Sequence, residues 1–171
     1  MNKMVFLFLF LLVVGIFLLS RLYGRVDHAT VSSLSPNDLL GSWYELARFD
    51  HPFERGLEDV EALYTLNPDG SIRVENSGLD TIKGVYSTRV GRARFTKHPG
   101  RLKVSFFRPF WSQYNVMERG ESPDWMLIGS RSSSYLWILS RERHLDSKTF
   151  DHILELARAR GYDTSRLLIF N

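Results

Sequence analysis

The sequence predicts an all-β fold: an eight-stranded antiparallel up-and-down β-barrel, followed by one C-terminal α-helix. Three observations predict it. Short runs of apolar and aromatic residues recur about every 8 to 14 residues from Gly41 onward. Turn-forming residues separate these runs, and only one late segment has helical periodicity. This spacing suits a sandwich or a barrel, and the order of strands, one helix and a last strand favours a small barrel whose interior is packed or holds one small ligand.

Composition restricts the chain to one folded domain of ordinary size. It has 171 residues, of which 44% are hydrophobic and 24% charged, as in a globular protein. It contains no cysteine. This excludes disulfides, a cysteine nucleophile, a thiolate metal site and lipid attached to a thiol.

The net charge of +3 is confined to the N-terminus. Lys3, Arg21 and Arg25 are the only charged residues before Asp27, and without them 19 basic residues balance 19 acidic ones. A basic patch for nucleic acid is therefore not expected.

The segment from Met4 to Leu19 is uncharged and apolar on every face, so it predicts a signal peptide or a signal-anchor helix within residues 1–25. As a helix it would span about 24 Å, slightly less than the bilayer core. No convincing pair of small residues marks a cleavage site, which favours an uncleaved anchor. Residues 26–37 then form a polar linker, and residues 38–171 form the barrel domain.

The strands follow one another through short turns. Asn67-Pro-Asp-Gly70 predicts a tight turn, because Pro presets φ and Gly accepts positive φ. The predicted strands are Gly41–Phe49, Val60–Leu66, Ser71–Asn76, Lys83–Val90, Arg92–Phe95, Leu102–Phe107, Tyr114–Glu118, Trp125–Gly129 and Ser134–Ser140.

The single helix is predicted over Ser147–Arg160. Asp146 is its N-cap, and Gly161 ends it. Its apolar face consists of Phe150, Ile153, Leu154 and Ala157. A last strand is expected at Leu167–Phe170.

Four blocks of sequence resemble the lipocalins, more closely the bacterial lipocalins that are similar to apolipoprotein D. The likeness covers about Leu39 to Phe170. The blocks are Gly41-Ser-Trp-Tyr-Glu-Leu-Ala-Arg-Phe-Asp-His51 with Phe53-Glu-Arg-Gly56, Lys103-Val-Ser-Phe-Phe-Arg-Pro-Phe110, Tyr114-Asn-Val116 and Tyr135-Leu-Trp-Ile-Leu-Ser-Arg141.

The resemblance implies a structural pair at the closed end of the barrel. There Trp43 would plug the barrel and Arg141 would pack across its ring, a contact that cation–π attraction favours. Neither residue is catalytic.

The resemblance, together with in–out alternation along strands, also implies a ligand site inside the barrel. Alternation from Trp43 and Arg141 places Glu45, Ala47 and Trp137 inside. The ligand contacts are expected at Tyr64, Asn76, Phe106, Asn115, Met117 and Trp137. For each of these, ordinary core packing is the competing interpretation.

The lipocalin resemblance implies a fatty acid or a lysophospholipid as the ligand, with a role in the bacterial envelope and no cofactor. The bacterial relatives carry an acylated cysteine, which this chain lacks. Attachment through residues 4–19, with the barrel on the periplasmic side, is therefore expected, while the resemblance implies an outer-membrane location.

Other chemistry has no support in the sequence. The five histidines lack metal-ligand spacing, and no phosphate-binding loop or nucleophile elbow occurs. Glu54-Arg55 and Glu58-Asp59 are expected to be solvated. The segment Arg108-Pro-Phe-Trp-Ser-Gln113 could touch lipid headgroups, form a homodimer contact or cap the barrel.

The sequence therefore predicts a lipid-binding protein that is not an enzyme. An interaction module with a self-filled barrel is one alternative. An enzyme using an ionisable pocket group such as Glu45 is another.

Overall fold

The computed structural model describes residues 26–122 and 124–171, which form a closed antiparallel barrel with one helix packed on its outside. The helix predicted at residues 4–19 lies outside the described residues. A short helix α1 (Pro36–Leu39) precedes the barrel, with Ser35 as its N-cap. The strands are β1 (Gly41–Phe49), β2 (Leu57–Leu66), β3 (Ile72–Asp80), β4 (Val85–Phe95), β5 (Arg101–Phe107), β6 (Phe110–Arg119), β7 (Trp125–Gly129) and β8 (Leu136–Ser140).

The C-terminal elements match the sequence prediction. Helix α2 (Ser147–Ala159) has the Asp146 side chain as its N-cap, accepting from the Thr149 amide, and buries the four predicted apolar residues. Gly161 follows with φ of 90°. A 3₁₀ turn (Thr164–Arg166) leads into β9 (Leu167–Ile169), which pairs with the end of β1.

Hydrogen bonding runs around the barrel from β2 through β8 to β1, and β1 closes it by pairing with β2. The β1–β2 pairing covers only Gly41 to Tyr44. Beyond that point β2 diverges from β1, and β9 pairs with Ala47 to Phe49 instead.

Two strand predictions need correction. The separate runs Lys83–Val90 and Arg92–Phe95 form one strand, β4, because Gly91 stays in register with Val74. Because Gly91 has no side chain, the Phe106 ring can pack directly against the backbone of β4. The strands β2, β3 and β6 are longer than predicted, because main-chain pairing continues past the alternating apolar residues.

Two apolar cores lie on opposite sides of the sheet. The inner core fills the barrel and includes Trp43, Ile72, Leu102 and Ile128. The outer core lies between the sheet and α2 and includes Phe49, Leu127 and Ile153. The helix therefore covers the outside of the barrel and leaves its interior separate.

At the end of the barrel where β1 begins, Arg141 packs on Trp43. The Arg141 guanidinium lies 3.7 Å from the centroid of the Trp43 ring. It also donates to the Ser42 carbonyl at 2.9 Å and to the Asp38 carbonyl at 3.1 Å. The Trp43 indole donates to the Leu39 carbonyl at 2.8 Å, which ties α1 across this end.

Residues 26–34, expected to be a linker, are packed against the barrel. The Asp27 amide donates to the Arg160 carbonyl at 2.9 Å, and the Val31 amide donates to the Val116 carbonyl at 3.0 Å. The polar residues that suggested a linker contribute to this packing, since the Thr30 hydroxyl donates to the Pro99 carbonyl. Within the described residues, no helix is both long enough and apolar enough to cross a bilayer.

Candidate ligand-binding site

Four of the six predicted site residues face the interior of the barrel. Tyr64 belongs to the inner core, and Phe106 and Trp137 pack against it. Asn76 pairs with the inner-core residue Ala62, so its side chain lies on the same face. Contact of these residues with a ligand stays a prediction.

The interior placement of Met117 and Asn115 is wrong. Their neighbours Tyr114 and Val116 point into the inner core, so alternation directs Asn115 and Met117 outward. Met117 packs in the outer core, where the Tyr162 hydroxyl contacts its sulfur at 3.6 Å. The Asn115 amide donates to the Ser130 carbonyl.

Two tyrosines meet across the barrel interior. The Tyr64 and Tyr114 hydroxyls lie 3.0 Å apart, and each satisfies the other. Burial raises the pKa of Tyr64 to about 12 and raises that of Tyr114 well above its usual value. Both phenols are therefore neutral, and they form a polar bridge in an otherwise apolar wall.

The loop between β1 and β2, residues 50–56, folds over the other end of the barrel. Its Glu54 carboxylate accepts a hydrogen bond of 3.0 Å from the Trp137 indole. The Glu54 side chain is 15% exposed, so the expectation that it is solvated is wrong. Burial opposes its charge, but the contacts with His51, Trp137 and Arg48 lower the pKa of Glu54 below its ordinary value.

His51 anchors the same loop through ring contacts. It is 4% exposed, and its ring lies 5.2 Å from that of Trp137 and 5.5 Å from that of Tyr135. Its Nε2 lies 3.0 Å from Glu54 Oε2, away from hydrogen-bond alignment. Trp137 is thus held between the barrel wall and this loop.

A buried, hydrogen-bonded pair of a carboxyl and a guanidinium lies inside the barrel beneath the loop. Arg48 donates from Nη1 to Glu45 Oε1, and both side chains are almost fully buried. Arg48 Nη2 donates to the carbonyls of Glu54 at 2.9 Å and Leu57 at 2.8 Å. Its Nε is buried without a partner among the described residues, which costs about 1–3 kcal/mol.

Burial raises the pKa of Glu45 to about 8, and the nearby Glu54 charge adds to the increase, while Arg48 opposes it. A cleft of about 300 Å³ reaches Glu45 from outside, near the point where β2 diverges from β1. Solvent can therefore approach this carboxyl without crossing the apolar interior.

Sequence reasoning missed this group of charges because of one backbone irregularity. Glu45 and Arg48 are three residues apart, so simple alternation places them on opposite faces of β1. A register shift between Glu45 and Ala47 pairs Glu45 with Leu139 and Arg48 with Trp137, so both face inward. The same shift moves Ala47, expected inside, into the outer core.

Exposed apolar side chains surround the open end of the barrel. Phe53 in the β1–β2 loop is 59% exposed, Ile82 in the β3–β4 turn 85%, and Phe110 at the β5–β6 turn 76%. Phe107 beside it is also exposed. We call these four residues the apolar rim.

The described residues contain no group of three or more His, Asp or Glu side chains placed to hold a metal ion. The end of the barrel beneath the loop combines apolar walls with one buried group of charges. The neutral phenol pair lies nearer the opposite end, since Tyr64 pairs with Gly41 at the start of β1.

Comparison with known proteins agrees with this architecture. Residues 37–171 match the family model described as "Lipocalin-like domain". The chain is 41% identical over 140 residues to the outer membrane lipoprotein Blc of Escherichia coli K12, covering 81% of this chain and 79% of that protein. It is 28% identical over 151 residues to apolipoprotein D of Macaca fascicularis, covering 80% and 76%.

Solved structures share the fold. The cockroach allergen Per a 4 superposes with a TM-score of 0.68 at 18% identity, covering 85% of this chain and 96% of that one. The family model, the identity to Blc and the closed barrel agree with one another, and the chain belongs to the lipocalin family.

Proposed function

We propose that this protein binds a fatty acid or a lysophospholipid inside its barrel and stores or carries it in the cell envelope, without changing it chemically. The observation that carries the proposal is the architecture of the barrel: a Trp43–Arg141 plug at one end, and an apolar rim with the half-buried Trp137 at the other. An apolar barrel interior with few polar groups suits an acyl chain.

The energetics of an acyl chain are adequate for this role. Burying about ten methylenes at roughly 0.8 kcal/mol each contributes about 8 kcal/mol before entropy and desolvation costs. Micromolar affinity is the expected outcome.

The family relatives support an envelope location. The relative that is 41% identical is an outer membrane lipoprotein by name. This chain has no cysteine to acylate, so we propose attachment through residues 4–19 with the barrel on the periplasmic side. The apolar rim would then contact the membrane surface.

A self-filled interaction module is the second candidate. The Tyr64–Tyr114 pair favours it, because these rings occupy interior volume and their hydroxyls satisfy each other without a ligand. The two candidates differ in whether an acyl chain can enter beside them.

Titration of tryptophan fluorescence with oleate and with 1-oleoyl lysophosphatidylcholine tests the proposal. A chain starting at residue 26 keeps the contacts of Asp27 and Val31 with the barrel. We expect saturable one-site binding in the low micromolar range, absent for short-chain controls. The lipid should be recovered unchanged.

Two tryptophan variants localise the signal. Trp137→Phe should remove most of the response, because this indole lies on the inner wall. Trp125→Phe is the matched control, since Trp125 is buried in the outer core. A well-folded barrel that responds to neither lipid would favour the interaction module, and turnover of the lipid would favour an enzyme.

A further inference from the structure

The buried charges at the open end are unusual for a pocket that holds only an acyl chain. Glu45, Arg48 and Glu54 converge there, and the first two are almost fully buried. Burying ions is unfavourable unless they are paired and hydrogen-bonded, and apolar side chains would fill the space without that penalty. The charges therefore indicate a ligand with a charged end.

Arg48 has donor capacity that the described residues leave unused. A guanidinium carries five N–H groups. Within the described residues the guanidinium makes three hydrogen bonds, to Glu45 Oε1 and to the carbonyls of Glu54 and Leu57. Its Nε is buried with no acceptor in the part of the chain that the structure describes, so an anion arriving beside Arg48 would find a donor ready for it.

We propose that the anionic headgroup of the ligand docks on the Arg48 guanidinium and displaces the Glu45 carboxyl from it. This inference rests on the proposed function, because it concerns the lipid held in the same barrel. The shared chemistry is a compact oxyanion, which a guanidinium binds through two parallel hydrogen bonds. A fatty-acid carboxylate and a lysophospholipid phosphate both supply it.

Glu45 behaves as an internal competitor of that oxyanion. Burial and the Glu54 charge raise the pKa of Glu45 to about 8. Near neutral pH the carboxyl is therefore mostly protonated, and its hold on Arg48 is weak. At higher pH it ionises and competes with the headgroup.

Charged and titratable groups of other elements face this site. The loop contributes His51 and Glu54, and β8 contributes the Trp137 indole that holds Glu54. The outer cleft that reaches Glu45 is lined by further charged and titratable residues: Tyr44, Glu58, Asp59, Arg143 and His144. Replacing Glu45 alone separates its titration from theirs.

The test uses the full chain and two probes that share a ten-carbon chain and carry an anionic or a neutral headgroup. Decane-1-sulfonate is ionised throughout the pH range, and 1-decanol has the same chain without charge. At pH 7 we expect the native protein to bind the sulfonate at least about tenfold more tightly than the alcohol. Arg48→Met should abolish this preference and leave the alcohol affinity unchanged.

The pH profile tests the role of Glu45. Between pH 6.5 and 9.5 the native affinity for the sulfonate should fall about tenfold, because ionised Glu45 holds Arg48. Glu45→Gln should show no such fall, since glutamine cannot ionise. If Arg48→Met does not fold, the comparison of the native protein with Glu45→Gln tests the proposal by itself. Sulfonate affinities that change with pH in the same way in both proteins would overturn it.

The remaining outcomes are distinguishable. Equal native affinity for sulfonate and alcohol overturns the headgroup assignment and leaves the proposed function standing. Equal weakening of both probes by Arg48→Met assigns Arg48 a structural role and also overturns it. Binding of neither probe overturns the proposed function. Oleate against 1-oleoyl lysophosphatidic acid then shows which oxyanion the site prefers, and an Arg48-dependent preference for either supports the proposal.

Discussion

One extra residue in β1 determines which charged side chains face the barrel interior. Without the register shift between Glu45 and Ala47, Arg48 would face outward and Glu45 would be an isolated buried acid. With it, both face inward and meet Glu54 from the loop. A local backbone irregularity thus brings charged side chains into an otherwise apolar interior.

The titration of Glu45 predicts how stability changes with pH. Its folded pKa is about 8, against an ordinary value of 4.5. Between these values the folded protein binds a proton that the unfolded chain has released, so raising the pH favours unfolding. Relative to Glu45→Gln, the native protein should lose stability from pH 5 to pH 8, by at most about 1.4 kcal/mol per pH unit.

Urea unfolding of both proteins at intervals across this range measures the effect. Other titrating groups, His28 among them, contribute equally to both proteins and cancel in the difference. The pKa of Glu54 is lowered, so its contribution is lost only at more acidic pH. A constant difference between native and variant from pH 5 to 8 would show that Glu45 does not titrate there.

At the scale of elements, Arg160 joins three parts of the fold. At the end of α2, it donates to Glu118 Oε1 on β6 at 2.7 Å and to the Met117 carbonyl at 3.0 Å. It also donates to the Ala29 carbonyl at 2.9 Å. The helix, the sheet and the segment before α1 are therefore fixed together by one side chain.

Arg160→Met should lower the free energy of unfolding by about 2–4 kcal/mol, because it leaves a partly buried carboxylate and two carbonyls without their donor. Chemical denaturation measures it. Arg158→Met is the matched control. Arg158 is an exposed arginine of the same helix whose side chain, among the described residues, donates to Thr164 alone, and its loss should cost at most about 0.5–1 kcal/mol. Similar losses in the two variants would contradict the role given to Arg160.

Helices, strands and turns could be predicted where the residues that determine them lie close together in the sequence. The Asp146 cap, the apolar face of α2 and the turn ending at Gly70 all depend on residues close together in sequence, and all three are confirmed. The division of β4 at Gly91 failed, because its pairing with β3 and β5 depends on distant strands.

At the scale of the whole molecule, the candidate site was also predictable only where its position does not depend on contacts between distant segments. The interior positions of Tyr64, Asn76, Phe106 and Trp137 follow from family resemblance together with alternation, and the Trp43–Arg141 pair follows from family resemblance. The burial of His51 and Glu54 depends on a loop folding over the barrel, for which composition gives no signal. Met117 was misplaced because alternation fixes a face only once one residue of the strand is correctly oriented.

The apolar rim predicts that the molecule meets a membrane with its open end. In a chain starting at residue 26, the pair Ile82→Ser and Phe110→Ser should reduce binding to phosphatidylcholine vesicles several-fold, because two exposed apolar side chains no longer insert. Leu66→Ser is the control, since Leu66 is 52% exposed at the opposite end. Vesicle sedimentation measures the binding, and equal loss in the control would exclude an oriented contact.

The pairing of β9 with β1 has a consequence for how the chain folds. The edge of β1 at Ala47 to Phe49 pairs with Leu167 to Ile169, which lie far along the chain. Until this long-range pairing forms, that edge is an unpaired strand able to pair with other chains. Loss of β9 should therefore leave a barrel that self-associates during refolding.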